Sequence, residues 1–191
     1  MLRIEHLSKS FGGVKATSDV SMNFPSGSLS AVIGPNGAGK TTIMKMLTGY
    51  LEPSAGEVRV NGRVVEADRR AVQRDMGYLP ENLPLYPELS VLDYLAWAAE
   101  LRGVDPALAV PRAIAATELE SKAFAPIATL SRGFKQRVGV AQAILHEPRI
   151  LILDEPTNGL DPAQTQQMRT LLRRLSENAT VILSTHIMQE V

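Results

Sequence analysis

Hydrophobic positions along the chain fall into two strand-like patterns. Glu57 to Val65 (EVRVNGRVV) alternates apolar and polar residues and is broken by Asn61-Gly62, so it reads as a hairpin with one wet face. Leu29 to Gly34 (LSAVIG), Arg149 to Glu155 (RILILDE) and Thr180 to Thr185 (TVILST) are apolar runs. The last two are apolar throughout, as expected of parallel strands buried on both faces. Met76 to Leu79 reads as a further short strand, and the looser alternation of LRIEHLSKSF and ATSDVSMNF suggests an antiparallel edge layer at the N-terminus. Helices are expected over Lys40 to Gly49, over Ala163 to Ser176 and after His186. Strand–loop–helix order of this kind implies an α/β fold with a mostly parallel central sheet.

The middle of the chain changes period. From about Ser90 to His146 no strand pattern occurs. SVLDYLAWAAELRG places Leu92, Leu95, Ala98 or Ala99, and Leu101 on one helical face, with Ser90 as N-cap and Gly103 as the stop. DPALAVPRAIAATEL begins a second helix with Pro106 in its first turn, although Pro111 leaves its length open. The expected organisation is one domain over 1–191, with an α/β core at 1–83 and 147–191 and a helical lobe inserted at 84–146. The proline-rich PENLPLYPELS leads into the lobe.

Composition narrows the chemistry. The chain has 191 residues, 45% hydrophobic, enough for a sizeable core. Twenty basic and twenty acidic residues cancel, so no net charge draws it to nucleic acid or anionic lipid. With no cysteine, a disulfide framework, a thiolate zinc site and a cysteine nucleophile are excluded. No apolar run approaches the ~18 residues of a membrane span, so a membrane role is expected to run through a partner.

The strongest local signal is GPNGAGKTT, comprising Gly34, Pro35, Asn36, Gly37, Ala38, Gly39, Lys40, Thr41 and Thr42. It fits GxxxxGK[ST] between an apolar strand and a helix, the context that makes a phosphate loop. Its glycines let backbone N–H groups turn toward a phosphate chain, and the helix adds its positive end. Lys40 can reach terminal phosphates and Thr41 can bind Mg²⁺. Further on, Asp154 and Glu155 end an apolar strand. Successive strand residues face opposite ways, which suits Asp154 to hold Mg²⁺ through water and Glu155 to polarise a water attacking a γ-phosphate. His186 ends the next apolar strand, where α/β sheets bind ligands. His6 and His146 read as ordinary surface or satisfied core residues; His146 lies near a helix C-terminus, where a cation is mildly favourable. Asp161-Pro162 reads as a helix cap with a first-turn proline.

LSRGFKQR, from Leu130 to Arg137, starts a helix in an unusual way. Ser131 is a sensible N-cap. Yet the first turns carry Arg132, Lys135 and Arg137 and no acid, although the helix dipole favours acids there. Such an end is either a tolerated surface feature or one left open for an external anion.

Taken together, these motifs and their order resemble the ATP-binding subunits of ABC transporters over nearly the whole chain. GPNGAGKTT looks like their Walker A loop, ILILDE like Walker B, NGLD like the D-loop and His186 like the switch histidine. LSRGFKQR stands where the LSGGQ signature stands, with Ser131 and Gly133 retained and Arg132 and Phe134 departing from it. Phe11 matches the aromatic that stacks on adenine. Glu81, in GYLPEN, occupies the usual glutamine position at the entrance to the lobe; an ionised carboxylate can only accept hydrogen bonds, and there it is placed to face Mg²⁺ or water. The resemblance implies ATP and Mg²⁺ as ligands and a head-to-tail dimer in which the signature helix of one subunit closes on the ATP of the other. It also implies an integral-membrane permease as partner, no nucleic acid, and a place on the cytoplasmic face of the cell membrane. GYLPEN, LYPELSV and LSRGFKQR together resemble the bacterial branch serving export-type permeases. The stretch Glu81 to Leu89 and the lobe near Tyr94 and Trp97 form the expected docking surface. The chain stops five residues after His186, short for the family, as for a C-terminally truncated subunit.

Two other functions are set against an ATPase that powers a permease. A soluble ABC-type ATPase acting on a non-membrane partner would be expected to carry a second nucleotide domain or coiled-coil insertion, and the sequence has neither. A nucleotide-gated binding module without catalysis would not need both Glu155 and His186. P-loop GTPases are disfavoured because no NKxD motif occurs.

Overall fold

The structure, a computed structural model, describes residues 2–186; the helix expected after His186 lies outside the described residues. Two four-stranded sheets form. In the first, β1 (Leu2–Phe11) pairs antiparallel with β2 (Val14–Phe24) and, on its other side, with β4 (Ala55–Val60). The short β5 (Arg63–Val64) returns on β4 through Asn61 and Gly62, both at positive φ (50° and 83°), as a two-residue hairpin turn requires. The alternating segment thus joins the N-terminal layer, with Leu2, Ile4, Val58 and Val60 pointing inward.

The second sheet is parallel, in the order β3 (Leu29–Ile33), β8 (Thr180–Thr185), β7 (Ile150–Asp154), β6 (Met76–Leu79). Every residue of β7 and β8 is buried, and their two faces serve two cores. Ile150, Ile152 and Ile182 pack with α1 (Lys40–Leu47) and the antiparallel layer. Leu151, Leu153, Val181 and Leu183 pack with α5 (Arg132–Ile144) and α6 (Pro162–Ser176). The period of two in the strands therefore builds three layers around the parallel sheet.

A third core holds the lobe, formed by α3 (Val91–Arg102), α4 (Pro106–Thr117) and one face of α5. Ser90 caps α3, its hydroxyl accepting from the Asp93 N–H at 3.1 Å, and Gly103 closes it in the left-handed conformation. Pro111 does not break α4: it lies on the exposed face, where the carbonyl it leaves unbonded meets water. The buried face of α3 is Val91, Tyr94, Leu95, Ala98 and Ala99, not the expected one through Leu101, which is exposed. Tyr94 belongs to the core, not to a docking surface; its hydroxyl donates to Gln142 Oε1 at 2.8 Å, and burial pushes its pKa up to about 12. Helix α5 belongs to both cores, through Val138 and Ala141 on one side and Val140 and Ala143 on the other. It crosses β6 so closely that a Cβ on Gly77 would collide with the Ala143 carbonyl oxygen.

The six-residue α2 (Arg69–Arg74) buries one side chain, Val72, so its sequence RRAVQR offers no apolar stripe to read. Among the described residues no helix is long and apolar enough to cross a membrane.

His146 is half buried, as the ordinary reading of it allows. Its Nε2 donates to the Met76 carbonyl at 2.9 Å and its Nδ1 is buried without a partner. Burial, and then the nearby Arg102, lower its pKa, only partly opposed by the Met76 bond and Asp75. The unfolded chain therefore binds this proton more readily than the folded one, so stability is full above about pH 6.5 and falls as pH drops toward the folded-state value. Urea unfolding at pH 7.5 and 5.5 should show a smaller loss for His146→Gln, which keeps the donor and cannot titrate, than for the parent.

Candidate functional site

The site forms where β3, β7 and β8 end. The chain leaves β3 at Ile33, and the N–H of Gly34 donates to the Thr185 carbonyl at the end of β8 (3.3 Å). The loop closes on itself through the Ala38 N–H and the Pro35 carbonyl (3.1 Å). Gly39, at φ 86°, is the N-cap of α1, and a Cβ there would strike the Ala16 carbonyl oxygen of β2. No side chain caps α1 and no acid lies in its first turn. The positive end of that helix therefore faces the loop uncompensated.

Lys40 is 7% exposed. Its Nζ donates to the carbonyls of Gly34 (2.7 Å) and Pro35 (3.1 Å) and pairs with Glu155 Oε1 at 3.2 Å. Glu155 is buried too, and His186 Nδ1 donates to its other oxygen at 2.8 Å. The expectation that Asp154 and Glu155 face opposite ways as neighbours on a strand does not apply. Strand β7 ends at Asp154, and Glu155 adopts a left-handed backbone at φ 51°, which turns the carboxylate back toward Lys40 and His186. A non-glycine residue held there stores roughly 1–3 kcal/mol of strain, a cost often met at functional sites.

Ser184, which sequence reasoning passed over, ties the two acids together. Its hydroxyl donates to Asp154 Oδ1 (2.6 Å) and accepts from the Glu155 N–H (2.9 Å). The one available signal was a polar residue inside the apolar run TVILST. Asp154 is fully buried and its Oδ2 has no protein partner. An orphaned carboxylate oxygen beside a phosphate loop fits Mg²⁺, which takes one or two protein oxygens and completes its shell with water and phosphate; Thr41, in the first turn of α1, is the second donor within the motif. Among the described residues no group of three or more His, Cys, Asp or Glu side chains is set to hold a metal by itself. Glu81 is exposed and lines a groove of about 510 Å³ with Arg132, Lys135 and Gln136.

Phe11 stands half exposed at the tip of the β1–β2 hairpin, with the Lys9 ammonium 5.3 Å from its ring centroid. The same hairpin supplies the Ala16 carbonyl that abuts Gly39.

The start of α5 answers to a different neighbour. Ser131 Oγ accepts from the Phe134 N–H at 3.4 Å. A Cβ on Gly133 would lie 2.9 Å from Gln164 Oε1 in the first turn of α6, whose own cap is Asp161, accepting from the Gln164 N–H at 2.8 Å. The three cations part company here. Arg137 is buried and turned inward, donating to the Thr117 carbonyl (2.8 Å), Glu118 Oε2 (2.8 Å) and Gln167 Oε1 (3.2 Å). Arg132 lies against Gly159 in the loop after Glu155. Only Arg132 and Lys135 remain near the surface of this helix start. Phe134 packs on the lobe core, with the Lys122 ammonium 5.5 Å from its ring centroid. Gln136 reaches the Glu155 carbonyl at 3.5 Å.

A buried lysine on a phosphate loop, paired with a strand-end acid over a three-layered α/β core, defines a P-loop nucleotide-binding domain. A family profile described as ABC transporter matches residues 17–158. The lantibiotic transport ATP-binding protein SrtF of Streptococcus pyogenes is 40% identical over 194 aligned residues, covering all of this chain and 82% of that protein. The bacitracin transport ATP-binding protein BcrA of Bacillus licheniformis is 33% identical over 193 residues, and the chain spans 63% of its length. A solved structure of an ATP-binding subunit of an ABC transporter superposes with a TM-score of 0.84 at 32% identity, covering 98% of this chain and 80% of that one. The chain belongs to the ABC transporter family, with the ATP-binding subunits as its relatives and their cassette as its fold.

Gly39→Ala should lose nucleotide affinity by about tenfold or more, because the Cβ meets backbone, not a movable side chain, and φ is unfavourable for alanine. Titration with a fluorescent ATP analogue measures it, with Gly13→Ala as control, since a Cβ there has nothing within 4 Å.

Proposed function

We propose that this chain binds and hydrolyses ATP to drive a membrane permease, closing on a second ATP-binding subunit head to tail. The observation that carries the catalytic part is Glu155, buried, turned off its strand, and held between Lys40 and His186.

A triphosphate offers Lys40 a stronger anionic partner than the Gly34 and Pro35 carbonyls and Glu155. Drawing Lys40 to the phosphates releases the Glu155 carboxylate to accept a proton from a water. That water's oxygen bonds to the γ-phosphorus as the bond to the β–γ bridging oxygen breaks, leaving ADP and phosphate. His186 orients Glu155 through Oε2 and can contact the γ-phosphate. Asp154 and Thr41 would hold Mg²⁺, which when bound neutralises charge on the phosphates. Ser184 holds the Asp154 carboxylate through Oδ1 and leaves Oδ2, which would take the ion, without a protein partner. Phe11 supplies an aromatic face for adenine.

Ser131 and Gly133, at an uncompensated helix start, would receive the γ-phosphate of the partner subunit. The permease would dock over the groove of about 260 Å³ between Tyr50, Gln73 and Tyr78 of the core and Trp97, Leu101 and Arg102 of the lobe, extending to Glu81 through Leu89. The chain's likeness to lantibiotic and bacitracin transport ATP-binding proteins supports transport; export is the direction we read from GYLPEN, LYPELSV and LSRGFKQR. The subunit would then lie on the cytoplasmic face of the membrane.

Glu155→Gln should retain ATP binding, accumulate an ATP-dependent dimer in size-exclusion chromatography, and lose turnover by about a hundredfold or more. Hydrolysis at the parent rate would remove Glu155 from the chemistry. Ser131→Arg should bind ATP as the parent does yet show neither dimer nor turnover. If it still assembles and hydrolyses ATP, the helix start is not part of a shared site.

A further inference from the structure

Helix α4 ends on a residue unsuited to its backbone. Glu118 is the C-cap, at φ 58° and ψ 47°, a conformation that glycine adopts far more readily than a residue with a Cβ. Its carboxylate is used twice. Oε2 accepts from Arg137 of α5 at 2.8 Å, and Oε1 accepts from Arg174 of α6 at 2.6 Å. One carboxylate therefore joins the end of α4, the middle of α5 and the last turn of α6. The two guanidiniums, Arg137 foremost, hold the carboxyl below its usual range, so it is ionised at neutral pH.

The two arms differ. Arg137 is buried and has two further acceptors, the Thr117 carbonyl and Gln167 Oε1, so its burial does not depend on Glu118 alone. Arg174 is about half exposed and reaches from the α/β core to the lobe. That outer pair is of the kind that contributes little to folding, and a strained cap is a costly place from which to make it. Its geometric consequence is larger. Arg137 lies less than two turns beyond Ser131 on α5. At the opposite end of α6 from Arg174, Gln164 abuts Gly133. The Glu118 clamp therefore sets the angle at which the start of α5 is presented beside α6. The space between these elements, about 260 Å³, is lined by Glu118, Ser131, Gly133, Arg137 and Gln164, so the clamp and the start of α5 border one groove.

The geometry points to Glu118 as a positioning residue, a two-armed latch between lobe and core that pre-sets Ser131 and Gly133 for the nucleotide of the partner subunit; this rests on the reading of that helix start as half of a shared site. The latch touches neither nucleotide nor Mg²⁺, and acts through Arg137 and Arg174.

Two substitutions in the full chain separate this role from a structural one. Glu118→Gly removes both arms and relieves the backbone. Arg174→Met removes only the outer arm and leaves Arg137 paired. Each is examined alone for ATP affinity and melting temperature, and in the Glu155→Gln background for the protein concentration giving half-maximal ATP-dependent dimer. Both variants should bind ATP as the parent does, and Arg174→Met, which leaves Arg137 paired, should also melt as the parent does. Both should need about five- to tenfold more protein to dimerise, the size of a coupling carried between two elements. Glu118→Asp, which keeps the charge, should recover part of the loss for the arm it still reaches. Dimerisation at the parent concentration by both variants overturns the latch. So does a loss of dimer that merely tracks a fall in melting temperature. A parent that forms no ATP-dependent dimer refutes the shared-site reading itself, a result visible before either variant is made.

Discussion

Lys40 and Glu155 are both buried, and the rest of the site is arranged around the requirement that neither charge be left alone. An unpaired buried ion costs far more than a surface one, and breaking one buried pair typically costs about 3–5 kcal/mol. The ammonium reaches Glu155 only because the loop after β3 curls on glycines and α1 starts close beneath it. The carboxylate reaches back only because the chain turns left-handed where β7 stops. Both conditions need β3, β7 and β8 to end at the same level, and the parallel register delivers that: Ile33 pairs with Thr185, and Asp154 with Ser184.

This pair also accounts for the division of labour among the acids. Asp154 keeps one oxygen for Ser184 and leaves the other without a protein partner, in a fully buried position. Glu155 shares its carboxylate between a lysine and a histidine. Two adjacent acids thus meet different electrostatic surroundings, the general way in which neighbouring carboxylates come to do different chemistry. The difference arises from backbone geometry at a single residue, not from alternation along a strand.

How much of this could be read in advance follows from which features are local. The phosphate loop was legible because glycine, lysine and threonine at fixed spacing act within nine residues, between a strand and a helix that announce themselves. Buried parallel strands were legible because RILILDE and TVILST have no polar face to misread. Helix α2 was not, since one buried valine makes no periodicity. The rotation of α3 was missed because leucines suggested one face while Tyr94, a residue with a polar tip, lies in the core. Ser184, the inward turn of Arg137 and the contact of the His146 ring with the Met76 carbonyl all depend on partners roughly twenty to seventy residues away, and no window on the sequence contains them.

The helix that begins at Ser131 shows how these non-local facts change a local argument. Three cations in its first turns looked like electrostatic excess at the wrong end of a dipole. One of them, Arg137, is satisfied within the chain by a carboxylate, a carbonyl and an amide. What remains is a smaller imbalance: Arg132 against a glycine of the loop after Glu155, Lys135 beside the groove that also holds Glu81, and the free N–H groups at Ser131 and Gly133. The same helix carries Gln136, whose amide reaches the Glu155 carbonyl. A displacement of α5 is therefore felt at its exposed start, where an anion from outside would sit, and at the backbone of the acid inside. Because α5 is also the one helix shared by the lobe core and the core under the parallel sheet, it cannot tilt without repacking Val138 and Ala141 on one side or Val140 and Ala143 on the other. Close-packed interfaces of that kind favour discrete positions over continuous bending, so a shift of the lobe that moves α5 would reach the backbone of Glu155 through Gln136.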